Sequence, residues 1–481
     1  MSSLSPHIGQ KDDTIAVARL GERVSEALRA ARRTGRPAVA AVTMPISPGL
    51  DLSAAVLAAR RSDDRYACLE QPDRDAFVLA TLGQAAILEA RGAERFAEVS
   101  AQARELGRNA FADDPAEDQS RPPASGPVFV GGFAFADDGG SSPEWSGLPP
   151  ASLVLPEVAL VKQGGQARIT LTAVVQPDDA VEDTVERLIA RLEELKPAPM
   201  PLLDPDPVER TRVASAAPPS HYEQAVERAV ERIRAGELQK VVLAREVRAH
   251  AARDHDPGAV LGALRELFPA CYCWCVGTRE AAFVGASPEL LVRRDGQRAQ
   301  TVALAGTTRR SADPAVDDHL GERLMGSRKD REEQAIVARR IERTLAPVSL
   351  WVAAADDPVI VKVHNVQHLA TPIRAQLSDP IPAVELAGLL LPTPAVGGEP
   401  RAAALPLIPA LEGLDRGWYA GAVGWTDLAE DGEFCVALRC ALLRGRVAHL
   451  YAGCGIVKDS GPRDELTETE VKLQALLPLV S

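Results

Sequence analysis

Four acidic residues stand in two pairs at helical spacing and could together bind a metal ion. Asp330 and Glu333 lie three residues apart in SRKDREEQAIVARRIE, and Glu465 and Glu468 lie three apart in RDELTETEVKL. On a helix this spacing places both carboxylates of a pair on one face. Two such faces that meet would form an oxygen-rich site suited to Mg²⁺. The same spacing is also typical of a solvated helix face, and the pattern alone leaves both interpretations open.

Lys240 and Glu289 are candidates for a general base and a general acid. Lys240 opens the apolar run KVVLAR after a helical stretch that ends at Gly236, so its amine could enter a desolvated pocket. Glu289 follows Pro288 in GASPELLVR, beside an apolar strand where burial would raise the pKa of a carboxyl group. The alternatives are a strand-edge lysine that extends to solvent and a glutamate in a turn.

A second set of residues could bind an anionic substrate. Arg439 lies in CVALRCALL, and Lys472 follows Glu468 by four residues. Gly453 and Gly455 in YAGCGIV would let backbone N–H groups approach a carboxylate, although such glycines are also typical of a β-bulge. Because the formal net charge is -13, an anion site has to be built locally from cations and backbone groups.

Composition limits the class of protein. The 481 residues are 46% hydrophobic and 25% charged, as in folded globular proteins rather than disordered chains. The negative charge repels polyanions, so we expect no nucleic-acid partner. The first residues lack the pattern of a signal peptide, and no apolar stretch reaches the length of a membrane span. We therefore expect a cytoplasmic protein without a membrane partner.

The cysteines are expected to be reduced and buried. Seven is an odd and sparse number for this length, which favours a reducing compartment over a disulfide framework. Cys271, Cys273 and Cys275 alternate in CYCWC, and on a strand all three would face the same side. Their spacing does not fit a paired-cysteine metal site, so we interpret them as small core residues.

The elements that position these residues fall into an N-terminal half, 1–219, and a more informative region, 220–481. Stretches rich in Pro, Asp, Ser and Ala predict linkers near 113–127 and 196–219. Amphipathic patterns predict helices at 14–33 and 91–106. After residue 220, helical stretches alternate with strands joined by short turns, which favours antiparallel pairing and an α+β fold.

Ten short motifs carry a resemblance to the chorismate-utilising enzymes. In order they are LQKVVLAR, GASPELL, LAGTTRR, KDREEQ, HNVQHLATP, LLPTPAVGG, GWYAGAVGW, LRCA, AGCGIV and ELTETEVKL, all between residues 220 and 473. The resemblance implies a layered α+β fold of large, mostly antiparallel sheets flanked by helices, with the active site between them. It also implies that residues 1–219 form the less distinctive half of that fold.

Individual residues indicate which of the family's reactions the resemblance implies. Members of the family that add water carry lysine where members that add ammonia carry glutamine, and Lys240 stands at that position. Ala305 stands where aminodeoxychorismate-forming members have a nucleophilic lysine. The effector motif Leu-Leu-Glu-Ser of anthranilate-forming relatives is absent from the first segment. The resemblance therefore implies an isomerase that adds water at C2 of chorismate and removes the C4 hydroxyl, with Lys240 as base and Glu289 as acid.

The resemblance also implies how substrate and cofactor are bound. Mg²⁺ is expected on Glu333 and Glu468, directly or through water, with Asp330 and Glu465 as outer or additional ligands. The residues implied for chorismate are Tyr419, Arg439, Lys472, Gly453 and Gly455 at its carboxylates, and His368, Leu369, Ala370 and Thr371 around its ring. Cys454 departs from the family pattern, since many relatives carry alanine there, and a slightly altered pocket is expected.

Two other activities fit the same motifs. A salicylate-forming relative would go on to eliminate pyruvate, although the HLAT and GWYAGAVGW stretches are more similar to enzymes that stop at isochorismate. A non-catalytic relative would bind chorismate unchanged, but it would have no need for Lys240, Glu289 and both acidic pairs. The sequence leaves open whether the product serves menaquinone, siderophore or salicylate synthesis. A monomer is expected from the resemblance.

Overall fold

The computed structural model describes residues 10–113, 121–204, 211–364 and 366–481, with side chains from residue 16 onward. Helices and strands are numbered in chain order. The α-helices are α1 (Gln10–Thr34), α2 (Leu52–Ala59), α3 (Arg95–Arg108), α4 (Val181–Glu194), α5 (Pro219–Arg234), α6 (Pro257–Leu267), α7 (Pro314–Gly326), α8 (Arg328–Leu345), α9 (Ala383–Leu390), α10 (Arg401–Glu412), α11 (Pro462–Leu473) and α12 (Leu477–Val480).

Two large sheets form the centre of the described structure. The first has thirteen strands in the order β10 (Arg212–Ser215), β11 (Lys240–His250), β23 (Val447–Ile456), β22 (Cys440–Arg444), β13 (Ala282–Ser287), β12 (Tyr272–Gly277), β2 (Tyr66–Gln71), β3 (Phe77–Leu82), β8 (Val158–Gln163), β9 (Gln166–Val175), β1 (Ala38–Pro45) and β5 (Ala110–Phe111), with β19 (Gly398–Glu399) also beside β11. The second has ten strands in the order β16 (Ser349–Ala354), β18 (Val366–Leu377), β15 (Arg298–Arg309), β14 (Leu290–Asp295), β21 (Gly432–Val436), β20 (Ala422–Asp427), β6 (Val128–Phe133), β7 (Ala151–Leu155) and β4 (Ala86–Ala90), with β17 (Val359–Lys362) also beside β18.

Strand direction and element order define the fold class. The paired strands of the described chain run antiparallel, apart from the short parallel pair of β1 and β5. Short turns join many of them, and that connection is available only to antiparallel neighbours. The predicted α+β class is therefore confirmed.

One apolar core joins the two sheets. Leu79 and Trp274 of the first sheet are buried in the same cluster as Phe129 and Phe434 of the second. Strand side chains alternate between faces, so one face of each sheet packs against the other. A second cluster covers the opposite face of the first sheet with helices such as α1 and α6. The three clustered cysteines are buried and unpaired, as predicted for core residues.

Part of the second predicted linker forms regular structure. Residues 212–215 of the second predicted linker form β10, and α5 begins at Pro219. Backbone pairing of β10 with Val247–His250 of β11 outweighs the Ser- and Ala-rich composition. The first predicted linker lies partly outside the described residues. Both sheets contain strands from 1–219 and from 220–481, and the division at residue 219 stays a prediction.

The two acidic pairs lie on helices, as their spacing predicts. Helix α8 begins after Ser327, whose hydroxyl accepts a hydrogen bond from the backbone N–H of Asp330, and it packs on β15 and β18. Helix α11 begins at Pro462 and packs on β23 and α5. Helix α8 thus rests on the second sheet and α11 on the first. No helix of the described chain is long and apolar enough to span a membrane.

Candidate active site

A cavity opens where α8, α11, β15, β23 and the connection between β13 and β14 meet. Its wall contains most of the residues that the sequence singles out. They are Glu289, Asp330, Glu333, His368, Tyr419, Arg439, Gly453, Gly455, Glu465, Glu468 and Lys472. These residues span almost two hundred positions of the chain and come from both sheets. The fold therefore brings the acidic pairs, the candidate acid and the candidate anion-binding residues to one place.

Lys240 lies directly behind this wall. It is the first residue of β11, its side chain is 1% exposed, and its ammonium lies 2.8 Å from Glu333 Oε1. A β-carbon at Gly455 would come within 2.8 Å of Lys240 Cε and would overlap the Glu333 carboxylate. The absence of a side chain at Gly455 leaves room for this ion pair, of which Glu333 lies on the cavity wall. Lys240 is therefore a buried lysine and not a strand-edge residue that extends to solvent.

Glu289 occupies the short connection between β13 and β14. The residue is 2% exposed, and its backbone is fixed by hydrogen bonds from Val436 N to its carbonyl and from its own N–H to Ser287 Oγ. Burial raises the pKa of its carboxyl group to about 8, with Lys240 acting in the opposite direction. At neutral pH the side chain is thus a protonated acid beside the cavity.

The four carboxylates line one cavity, and their charges influence one another. Burial and the neighbouring charge of Glu333 raise the pKa of Asp330, and burial and Glu468 raise that of Glu465. Carboxylates of this kind are stabilised by a cation, and oxygen is the ligand that Mg²⁺ prefers. The donor set therefore fits Mg²⁺. Cys454 lies beside it, since its sulfur and one oxygen each of Glu465 and Glu468 lie within 4.8 Å of one another.

Each acidic residue also has a partner within the protein. Asp330 accepts a hydrogen bond from Ser327, and Glu333 pairs with Lys240. The partners on α11 are Lys472 Nζ at 2.8 Å from Glu468 Oε1 and Lys329 Nζ at 3.2 Å from Glu465 Oε1. The carboxylates are therefore held in place by protein groups before any metal contacts them.

His368 fixes the orientation of Arg439. One guanidinium nitrogen of Arg439 bonds to His368 Nε2, while His368 Nδ1 lies 3.0 Å from Thr307 Oγ1 and 3.3 Å from the carbonyl oxygen of Gly306. Because the guanidinium can only donate, Nε2 must accept, and the network assigns the ring proton to Nδ1. Burial and Arg439 hold the pKa of His368 well below its usual value. The imidazole is neutral.

Arg439 retains a donor for a ligand. Its second terminal nitrogen is buried and has no hydrogen-bond acceptor among the described residues, although the guanidinium as a whole also interacts with the Cys271 thiol. A buried unpaired donor costs free energy unless an anion or water completes it. Arg439 also has a positive φ of 48°, a conformation that is uncommon for a residue with a side chain. This combination is expected where a guanidinium is held ready for a carboxylate.

Lys472 and Tyr419 complete the wall near β23. Lys472 Nζ donates to the carbonyl oxygen of Gly453 at 2.9 Å, and the Tyr419 ring stacks on Tyr451 at 5.3 Å. A β-carbon at Gly453 would lie 3.0 Å from the Tyr419 hydroxyl. The strand pairs with β11 in unbroken register through Gly453 and Gly455. The β-bulge alternative for these glycines is therefore wrong.

Three predicted ring-pocket residues do not line the cavity. Leu369, Ala370 and Thr371 are buried, but of the HLAT stretch only His368 lies on the wall. Thr371 instead accepts a hydrogen bond of 2.6 Å from Gln334, which anchors α8 to β18. Successive side chains of a strand alternate between its faces, which turns Leu369 and Thr371 away from the face of His368, whereas Ala370 shares that face but is not on the wall. Of the four residues predicted around the ring, only His368 is therefore on the cavity wall.

Lys329, a residue that no sequence motif singles out, lines the cavity and pairs with Glu465. It lies next to Asp330 in KDREEQ, so its position was visible, but a lysine in a charged helical turn is usually a solvated residue. The contact that matters joins α8 to α11 across 136 positions. No local pattern contains that information.

Fold and site together define a class of protein. The sequence matches the chorismate binding enzyme family over residues 26–481, so the chain belongs to that family. It is similar to the salicylate biosynthesis isochorismate synthase of Pseudomonas aeruginosa, with 36% identity over 95% of this chain and 93% of the relative. It is also similar to isochorismate synthase MenF of Bacillus subtilis, with 32% identity over 82% of this chain and 84% of the relative. The solved structure of MenF, the menaquinone-specific isochorismate synthase of Escherichia coli, matches with a TM-score of 0.77 and 27% identity, over 95% of this chain and all of that structure.

Proposed function

We propose that this chain is an isochorismate synthase, a Mg²⁺-dependent isomerase that converts chorismate to isochorismate. The observation that carries the proposal is the presence of both a buried lysine, Lys240, and a buried protonated acid, Glu289, beside a cavity rimmed by carboxylates. A base and an acid are what a hydroxyl exchange requires. The similarity to isochorismate synthases over nearly the whole chain supports the same activity.

Lys240 and Glu289 would divide the proton transfers between them. Lys240 takes a proton from water as the oxygen attacks C2 of the ring, and Glu289 gives its proton to the hydroxyl that leaves C4. One water is consumed and one is released, so the reaction is an isomerisation. The base must be an uncharged amine, so the ammonium of Lys240, which pairs with Glu333 in the structure, has to lose a proton before it acts.

The anionic substrate would be held by local positive groups. Arg439 offers its unpaired guanidinium nitrogen, and Lys472, Tyr419 and the backbone near Gly453 lie on the same wall. Glu333 and Glu468 would hold Mg²⁺ directly or through water, with Asp330 and Glu465 as outer or additional ligands. Bound Mg²⁺ supplies positive charge for the carboxylate on the substrate ring. These groups overcome locally the repulsion expected from the net charge of -13.

A cellular location and a substrate class accompany the proposed activity. The seven cysteines are unpaired, which supports a reducing cytoplasmic location. The substrate class, chorismate, follows from the family. The sequence expectation of a monomer stays a prediction.

Product analysis tests the proposal directly. Purified protein is incubated with chorismate with and without Mg²⁺, and products are followed by chromatography and proton NMR. Isochorismate in equilibrium with chorismate, formed only with Mg²⁺ and without pyruvate, is expected. Salicylate with stoichiometric pyruvate would reassign the chain to salicylate synthesis, and unchanged chorismate would leave only binding.

A variant at Lys240 connects the activity to this site. Lys240→Ala should lower the rate of isochorismate formation by on the order of a hundredfold or more, because the base is lost. The exposed Lys458 provides the matched control, and Lys458→Ala should react at the wild-type rate. Equal rates for the two variants would contradict the role given to Lys240.

A further inference from the structure

Lys329 forms an ion pair that joins the two acidic helices. It lies in the first turn of α8, and its ammonium is 3.2 Å from Glu465 Oε1 on α11. The Glu465 side chain is 3% exposed, whereas that of Lys329 is 41% exposed. The contact therefore has one buried end and one end at the rim of the cavity.

The ammonium of Lys329 lies in the field of several carboxylates. Burial opposes its charge, but Glu465, Glu333 and Glu468 outweigh burial and raise the pKa of Lys329. These three residues belong to the set to which the proposed function assigns Mg²⁺. The protein thus already places a positive charge where a divalent cation would be attracted.

Lys329 differs from the other two lysines of the site. Lys240 is 1% exposed and cannot leave Glu333 without burying an unpaired charge. Lys472 bonds to the Gly453 carbonyl as well as to Glu468. Within the described chain Lys329 bonds only to Glu465, and its half-exposed stem gives it a path to solvent. Of the three ammonium groups, it is the one that can leave at low cost.

We propose that Lys329 is an internal cation that neutralises Glu465 in the metal-free enzyme and is displaced when Mg²⁺ binds, so that this residue sets the affinity for the metal. The proposal rests on the metal site of the proposed function. Two cations close to one carboxylate repel each other, so binding of the metal must break the Lys329–Glu465 pair. The free energy of that pair is therefore subtracted from the affinity for Mg²⁺.

Replacing Lys329 with a neutral side chain of similar length isolates this effect. Lys329→Met should bind Mg²⁺ more tightly than wild type, by on the order of threefold to tenfold, because no pair has to be broken. Lys329→Arg keeps the charge and should bind no more tightly than wild type. Lys458→Met removes an exposed lysine nearby and should leave the affinity unchanged.

The Kd for Mg²⁺ is measured by isothermal titration calorimetry on protein freed of metal with a chelator. Melting temperatures with and without Mg²⁺ give a second measurement. Metal-free Lys329→Met should melt below wild type, since Glu465 is left buried and unpaired, and Mg²⁺ should raise its melting temperature by more than it raises that of wild type. A merely structural role of Lys329 would not produce this extra stabilisation.

Three results would overturn the inference in distinguishable ways. If wild type binds Mg²⁺ and Lys329→Met binds it equally or more weakly, Lys329 does not compete with the metal, and the proposed function is unaffected. If Glu465→Gln leaves the affinity for Mg²⁺ unchanged, Glu465 does not contact the metal and the inference alone falls. If wild type binds no Mg²⁺, the assigned metal site itself is wrong and the inference falls with it.

Discussion

At the scale of single residues, the hydrogen-bonding role of His368 can be separated from any acid–base role. Its Nε2 accepts from Arg439, so His368→Leu leaves that guanidinium nitrogen without an acceptor. We expect the KM for chorismate to rise by on the order of tenfold, the cost of losing a hydrogen bond to a charged group. His368→Gln can present an amide oxygen near the same point and should restore much of the affinity. Steady-state kinetics of both variants measure this.

The neutral state of His368 predicts how the KM for chorismate depends on pH. Because burial and Arg439 hold the pKa of His368 well below its usual value, wild-type KM should not change as pH passes through the normal range for histidine. A KM that rises on acidification with the pKa of a free imidazole, and that loses this dependence in His368→Gln, would contradict the assignment.

We predict that loss of the proton from Glu289 limits activity at high pH. The group acts as an acid only while it carries its proton, and burial raises its pKa to about 8. The rate of isochorismate formation at saturating chorismate should therefore fall as pH rises through about 8. Glu289→Gln has no such proton to give and should lose activity by on the order of a hundredfold or more at every pH. A pH profile of kcat for both proteins checks the prediction.

The same group links stability to pH. Its pKa is raised on folding, so the folded protein holds a proton that the unfolded chain releases between the ordinary glutamate pKa and about 8. Stability from this group is complete at low pH and is lost as pH rises across that window, by about 1.4 kcal/mol per pH unit. Wild type should lose stability relative to Glu289→Gln over this range in denaturant titrations. If the free energies of unfolding of the two proteins change in parallel with pH, Glu289 is not buried as a neutral acid.

At the scale of elements, β23 leaves room for the Lys240–Glu333 ion pair because it has a glycine at position 455. A β-carbon there would overlap the Glu333 carboxylate and press on Lys240 Cε. Both obstacles are the far ends of side chains, so Gly455→Ala should fold but should displace this ion pair. We expect isochorismate formation to fall by on the order of tenfold or more, since small displacements in a catalytic group are costly.

A glycine near the site serves as the matched control. A β-carbon at Gly326, the last residue of α7, meets nothing within 4 Å, so Gly326→Ala should retain wild-type activity. Circular dichroism and melting temperatures show whether each variant is folded. A fully active Gly455→Ala would mean that the Lys240–Glu333 pair need not be held as the structure has it.

The elements also show which parts of the site the sequence could predict. Helical spacing placed Asp330 with Glu333 and Glu465 with Glu468 on shared faces, because 3.6 residues make one helical turn and the rule is local. The pairing of Lys329 with Glu465 joins two helices far apart in the chain, and local patterns carry no such information. The motifs showed that the two helices belong together, but the contacts between them had to come from the structure.

At the scale of the whole molecule, the order of strands could be predicted only in part. Short turns in 220–481 predicted antiparallel neighbours, and pairs such as β12 with β13 and β22 with β23 follow that rule. The pairing of β2 with β12 crosses from one half of the chain to the other. Apolar runs of five or six residues are interchangeable as strand partners, so the sequence could not choose between them.

Because strands from the two halves of the chain pair with each other, we predict that the half that carries the family motifs cannot fold alone. A fragment of residues 211–481 would lose β2 beside β12 and β6 beside β20, which exposes two strand edges in the middle of the sheets. It would also expose Trp274 and Phe434, which are buried in the core shared with Leu79 and Phe129. Unpaired edges flanked by apolar faces favour aggregation. The fragment should therefore be insoluble or partly unfolded by circular dichroism and size-exclusion chromatography, even though it carries every residue proposed for catalysis.

Co-expression with residues 1–204 should recover soluble protein that forms isochorismate. A soluble, monomeric fragment with a cooperative thermal transition would mean that the catalytic half is a domain of its own, and that the shared sheets are a consequence and not a condition of its folding.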